Sequence, residues 1–147
     1  MAITIRDARQ EDLTRLEELE EQCFSVPWTR EQLESQLPDA QHVFLAAEED
    51  GAVLGYVGMM VVLDEGYISN VATAPEARRR GIGRALIGEL MRRAAQLELS
   101  FVTLEVREHN EPAISLYAGF GFRPVGLRKN YYDSPKENAI LMTCYLK

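Results

Sequence analysis

The chain has 147 residues, enough for one domain with a sizeable core and too few for two ordinary ones. It is 46% hydrophobic and 27% charged, the balance of a soluble globular protein, and its net charge of −7 disfavours binding to a nucleic-acid backbone. No apolar run approaches the ~20 residues of a membrane span, the N-terminal MAITIRDARQEDL lacks a secretory apolar segment, and Cys23 and Cys144 stand apart without CxxC or metal-ligand spacing, so the expectation is a cytoplasmic protein with reduced thiols and no metal.

In chain order, Ala2–Arg6 alternates apolar and polar residues and predicts a short strand. DLTRLEELEEQCF predicts a helix with Leu13, Leu16, Leu19 and Cys23 on one face. The carboxylates Glu17, Glu18, Glu20 and Glu21 are expected to form its solvated face. After SVPW, Thr29 and Gln32 form a T-x-x-Q capping box for a second helix carrying Leu33 and Leu37. HVFLAAE and VLGYVGMMVV predict two strands joined by a turn at Glu49-Asp50-Gly51, and a turn at Asp64-Glu65-Gly66 leads into a third, YISNVAT.

The stretch EARRRGIGRA (76–85) follows that strand and opens a helix with Ile82, Leu86, Leu90, Ala94 and Leu97 on one stripe. A helix start carries unpaired N–H groups and the positive pole of the helix dipole, so it accepts anions. Gly81 and Gly83 remove side chains that would block close approach to a phosphate. A Walker loop is absent, and the dinucleotide pattern G-x-G-x-x-G/A fails at Leu86. What remains is R-x-x-G-x-G, made by Arg78, Gly81 and Gly83.

SFVTLEV predicts a strand and NEPAISLYAGFGF a helix capped by Asn110, with Pro112 in its first turn. FRPVGL and AILMTCYL predict the closing strands. The order β-α-α-β-β-β-α-β-α-β-β, without linker or repeat, predicts a single α/β domain over 1–147, with helices on both faces of a central mixed sheet.

R-x-x-G-x-G between a strand and a long helix, within this element order, resembles the acetyl-CoA pyrophosphate loop of the Gcn5-related N-acetyltransferases, and the resemblance covers essentially the whole chain. It implies that Val71, Ala72 and Thr73, on a bulged strand, hold the acetyl carbonyl and pantetheine arm of acetyl-CoA. It places the pyrophosphate over Arg79, Arg80, Gly81, Ile82, Gly83 and Arg84, with Arg78 opening the motif.

Three further segments, FSVPWT, LEVREHNEPAISLYAGFGF and RKNYYDSPKENAILM, are similar to the RimI-type ribosomal-protein-alanine N-acetyltransferases within that family. The substrate so implied is the N-terminus of a small-subunit ribosomal protein, with another protein N-terminus or a small amine as the alternative. The resemblance makes Glu105 the general base and Tyr117 the general acid. On spacing alone Glu105 reads equally as a solvated carboxylate, and Tyr117, in register with Ile114 and Phe120, as a core aromatic. Asn110 caps its helix, bonds the pantetheine arm, or does both. Phe24, Trp28, Tyr131 and Tyr132 are candidates for a peptide groove and equally for ordinary packing. Glu108 and Glu111 are expected to face solvent, and His42 and His109 to be bystanders. Asn138 departs from the acidic residue that the resemblance leads one to expect before Ala139.

Overall fold

The computed structural model describes residues 2–147. Seven strands form one sheet: β1 (Thr4–Asp7), β2 (His42–Glu49), β3 (Ala52–Val62), β4 (Glu65–Thr73), β5 (Phe101–Arg107), β6 (Arg123–Asp133) and β7 (Lys136–Tyr145). Four α-helices join them: α1 (Leu13–Cys23), α2 (Arg30–Ser35), α3 (Ile82–Gln96) and α4 (Glu111–Gly119). The element order is the one the sequence predicts. The spatial order is β1-β2-β3-β4-β5-β7-β6. Every neighbouring pair is antiparallel except β4 and β5, which α3 connects as a parallel crossover.

Local chemistry explains most boundaries. Thr29 Oγ1 accepts from the Gln32 N–H (3.2 Å) while Gln32 Oε1 accepts from the Thr29 N–H (2.8 Å), so the capping box forms. The β2–β3 turn has Asp50 at φ 53 and Gly51 at φ 82, the two left-handed residues that a tight hairpin requires. The β3–β4 turn falls one residue earlier than the Asp64-Glu65-Gly66 expectation. Leu63 takes the left-handed conformation (φ 57), and Glu65 already pairs with Val62. The last hairpin is also longer than predicted. β6 runs on to Asp133 and β7 begins at Lys136, because Tyr132 and Asp133 pair with Glu137 and Lys136 after a bulge that pushes out Lys129, Asn130 and Tyr131.

The core lies on both sides of β2, β3 and β4. Leu13, Leu16 and Leu19 of α1 are fully buried, as are Ile82, Leu86, Ile87 and Leu90 of α3 to within 1%. Burying each such side chain contributes about 2 kcal/mol. α3 sits close on the sheet because Gly55 has no side chain: a Cβ there would lie 2.7 Å from the Ala72 carbonyl and 3.1 Å from Ile82. At the far edge, Arg6 donates to Asp12 (2.8 and 3.0 Å) and to Glu48 (2.8 Å), tying β1 to the start of α1 and to β2. Asp12 also accepts from the Arg9 N–H (2.8 Å), and the guanidinium beside it holds its carboxyl below the ordinary range.

Asp12→Ala leaves Arg6 without its main partner in a nearly buried setting, an expected loss of about 3 kcal/mol at neutral pH in urea unfolding. A depressed carboxyl stabilises the fold above its unfolded pKa of ~3.9, and that stabilisation is lost as pH falls through the lower folded value. The gap between parent and variant should therefore close under acid. A gap independent of pH would contradict the ion-pair account.

Candidate functional site

The parallel pairing of β4 with β5 covers only Glu65–Tyr67 against Phe101–Thr103, and beyond that the strands part. The cause lies two residues further along β4, at Ser69. Gly58 pairs with Asn70 and Met59 with Ile68, which leaves Ser69 as an extra residue, a bulge that bends β4 away from β5. The opening is a cleft of about 1170 Å³. Ile68–Val71, Leu104–Arg107, Tyr117 of α4, the α1–α2 loop and the β6–β7 hairpin line it.

Antiparallel pairing sets which β4 backbone groups face this opening. The Ala74 N–H donates to the Leu54 carbonyl (2.7 Å), so by alternation Ala72 and Asn70 also turn their backbone toward β3. Val71 and Thr73 turn theirs toward the gap. Ala72 instead packs in the core, 4% exposed. The Thr73 carbonyl already accepts from the Cys23 thiol (3.3 Å), stitching α1 to this strand.

Beyond β4 the chain enters α3 through Gly81, at φ 81. A Cβ at Gly81 would meet nothing within 4 Å, so the glycine is needed for its backbone angle alone. The first helical bond runs from the Ala85 N–H to the Gly81 carbonyl (3.0 Å), which leaves the N–H groups of Ile82, Gly83 and Arg84 outside the helical ladder. Arg78, Arg79 and Arg84 are exposed around them. Arg80 is paired with Glu49 (2.5 Å), and Ile82 is buried, so only its backbone is available. These residues gather at the start of α3, next to the cleft rather than in its wall.

Glu105 is half-buried on the face of β5 that it shares with Thr103 and Arg107, while Val102, Leu104 and Val106 are buried on the other, as alternation predicts. Its carboxylate lies 3.4 Å from the Arg128 guanidinium of β6. Tyr117 is 7% exposed, its ring 5.9 Å from Phe122, so it belongs to the core and lines the cleft as well. Burial pushes its phenol up to about 12. Asn110 caps α4 by accepting from the Ala113 N–H (3.3 Å) and also lines the cleft. Phe24, Trp28, Tyr131 and Tyr132 all line it from opposite rims. Tyr132 is likewise pushed up to about 12, chiefly by burial.

Four polar residues of the cleft escaped the sequence reading. Glu20 is the main correction: it is 1% exposed rather than solvated. Its spacing from Leu13 and Leu16 (i, i+3, i+7) puts it on the buried stripe, a signal that the run of glutamates masked. Asn70 bonds Glu20 (2.8 Å) from inside the bulged strand. Arg107 donates to the Pro135 carbonyl (2.9 Å) and to Glu137 (3.1 Å) and lies 4.3 Å from the Tyr132 ring centroid, which fixes the hairpin rim. Ser25 donates to the Ser134 carbonyl (2.5 Å) across the cleft, joining the two rims.

Asn138 has a local explanation. Its Oδ1 accepts from the Asn130 N–H inside the β6 bulge (2.9 Å), while its Nδ2 donates to Glu108 (3.1 Å). An acidic residue could not donate and would face Glu108 with like charge. Glu108 is accordingly half-buried rather than open to solvent; Glu111 is exposed. His109 is exposed beside Glu137 (3.1 Å), and His42 pairs with Asp39 (2.9 Å), away from the cleft. Among the described residues no cluster of side chains could hold a metal ion, and no helix is long and apolar enough to cross a membrane.

The chain belongs to the acetyltransferase (GNAT) family, whose model matches residues 13–122. It is an N-acetyltransferase, and the family's acyl donor is acetyl-CoA. A [ribosomal protein bS18]-alanine N-acetyltransferase of Haemophilus influenzae is 36% identical over 138 residues, covering 92% of this chain and 93% of that one. The crystal structure of the ribosomal-protein-S18-alanine N-acetyltransferase of Escherichia coli superposes with a TM-score of 0.92 at 29% identity, over 99% of this chain and 95% of that one. Arabidopsis thaliana NAA60, crystallised with a bisubstrate analogue, gives 0.88 at 25% identity, over 98% of each chain.

Tyr117→Phe should remove one phenolate transition near pH 12 from the ultraviolet titration and leave the transitions near ~10 intact. Loss of an ordinary transition near ~10 instead would mean that Tyr117 is not desolvated.

Proposed function

We propose that this enzyme acetylates the α-amine of a protein N-terminus, with the N-terminal alanine of ribosomal protein bS18 as substrate, acetyl-CoA as donor and the cytoplasm as its compartment. The observation that carries this reading is that Glu105 and Tyr117, from β5 and α4, line one cleft where β4 and β5 part. The cleft's volume also counts. About 1170 Å³ exceeds the ~300–1,000 Å³ usual for small-molecule pockets and suits several residues of peptide. The relationship to bS18-alanine N-acetyltransferases over nearly the whole chain supports the choice of substrate.

The pyrophosphate of acetyl-CoA fits the free N–H groups of Ile82, Gly83 and Arg84, with Arg78, Arg79 and Arg84 adding charge. Val71 and Thr73 offer backbone groups to the pantetheine arm and the acetyl carbonyl, and Asn110 has an amide to spare beyond its cap. An α-amine with a pKa of ~7.7–8.0 is largely protonated at neutral pH and must lose a proton before it can attack. Glu105 takes that proton, directly or through a water. The amine nitrogen then bonds to the thioester carbonyl carbon, and the carbon–sulfur bond breaks as the tetrahedral intermediate collapses and the nitrogen gives up its second proton to water. Tyr117, protonated at neutral pH, gives its proton to the departing thiolate and regains one from solvent. Phe24, Trp28, Tyr131 and Tyr132 wall the groove in which the peptide lies.

The test is intact-mass detection of acetyl transfer to a short peptide with a free N-terminal alanine, run beside a peptide with a blocked N-terminus and an internal lysine. One acetyl on the first peptide alone is expected, and acetylation of a small amine with neither peptide touched would overturn the reading. Glu105→Gln and Tyr117→Phe should each lower kcat by about a hundredfold or more while acetyl-CoA affinity, read by calorimetry, stays at the parental value. Undiminished kcat in either would remove that residue from the chemistry.

A further inference from the structure

Glu20 is a buried carboxylate in the cleft wall that none of the chemistry above employs. Both of its oxygens are engaged: Oε1 accepts from the Trp28 N–H at 2.6 Å, and Oε2 accepts from Asn70 Nδ2 at 2.8 Å. Trp28 ends the α1–α2 loop, whose residues Phe24, Ser25, Val26 and Trp28 form one rim of the cleft. Asn70 lies at the bulge of β4, on the opposite side of Glu20. One side chain thus joins the exposed rim (Val26 is 73% exposed) to the strand beside which the acetyl group would sit. We infer that Glu20 is a positioning residue: its carboxylate tethers the α1–α2 loop to the β4 bulge and so sets the peptide-binding wall at a fixed distance from the acyl donor.

The energetics favour a positioning role over a stabilising one. An ionised carboxylate buried on a helix stripe otherwise filled by leucines is costly, and a leucine there would extend the apolar contact of Leu13 and Leu16. Burial accordingly pushes the Glu20 carboxyl up, and the bonds from Trp28 and Asn70 hold it down only in part. A neutral donor on each oxygen fixes direction as well as distance, which an apolar side chain cannot do. The loop has few other ties. Phe24 continues α1 through its N–H to the Glu20 carbonyl (2.9 Å), and Ser25 reaches the far rim at Ser134. Neither bond reaches β4, so the Glu20 carboxylate is the polar link between Trp28 and that strand.

This inference rests on the peptide-acetylating reading, and Trp28 supplies a test that does not. It is the sole tryptophan in the chain, so its fluorescence reports the loop directly. In the full-length protein, Glu20→Ala removes both bonds and should raise the peptide KM by about tenfold as the loop loses its fixed position. kcat and acetyl-CoA affinity should hold, while Trp28 becomes more accessible to acrylamide quenching. Glu20→Gln should restore both readouts. Its Oε1 can still accept from the Trp28 N–H, and its amide can donate to Asn70 once the Asn70 amide turns over. An unchanged Trp28 signal in Glu20→Ala overturns the tether. So does a fall in kcat and acetyl-CoA affinity together with early melting, or a Glu20→Gln variant as impaired as Glu20→Ala. If the parent acetylates no peptide, the functional reading fails, and the fluorescence pair still decides whether Glu20 fixes the loop.

Discussion

The structure depends on the parting of β4 from β5 after three parallel pairs. A continuous sheet would have satisfied the backbone of both strands and left no room between them. The extra residue at Ser69 prevents that by bending β4 where it would otherwise stay in register. Backbone groups of Val71 then face the cleft, a polar lining that needs no particular side chain. Beyond that departure the chain passes through a short 3-10 turn (Pro75–Ala77) to Gly81 and the unladdered amides at the start of α3.

Side chains from both halves of the sheet converge on that gap. β5 contributes Glu105 and Arg107 by alternation, and α4 contributes Tyr117 because its apolar face must pack on Phe122. The rims are held by polar contacts: Glu20 to Trp28 on one side, Arg107 to the β6–β7 turn on the other, and Ser25 to Ser134 between them. Burial treats the two side chains differently: Tyr117 is desolvated, while Glu105 stays partly exposed near Arg128. In the reaction proposed here, Glu105 accepts a proton and Tyr117 donates one.

Much of this was legible in the sequence. The apolar stripes of α1 and α3, the Thr29–Gln32 capping box and the Asp50-Gly51 turn are local signals, and local interactions made them. The roles expected of Glu105 and Tyr117 come only from family resemblance, since spacing alone leaves a solvated carboxylate and a core aromatic. Glu20 was misread because a run of four glutamates suggests solvent, and only its distance from Leu13 and Leu16 revealed the inward turn. The hairpin of β6 and β7 was cut short because its pairing resumes after a bulge, and bulges depend on tertiary bonds such as Asn138 to Asn130. Asn70, Ser25 and Arg107 act through partners far along the chain, which no local pattern encodes.

The central claim is that the opening between β4 and β5 is where an N-terminal amine meets an acetyl thioester. The most direct measurement is a crystal structure of this protein with a conjugate of coenzyme A and an alanine-first peptide. The account predicts pyrophosphate oxygens on the amides of Ile82, Gly83 and Arg84, the alanine nitrogen beside Glu105, and the sulfur beside Tyr117. The peptide should leave the cleft between Trp28 and Tyr131. A conjugate whose alanine lies outside the β4–β5 opening, or whose sulfur is remote from Tyr117, would contradict it.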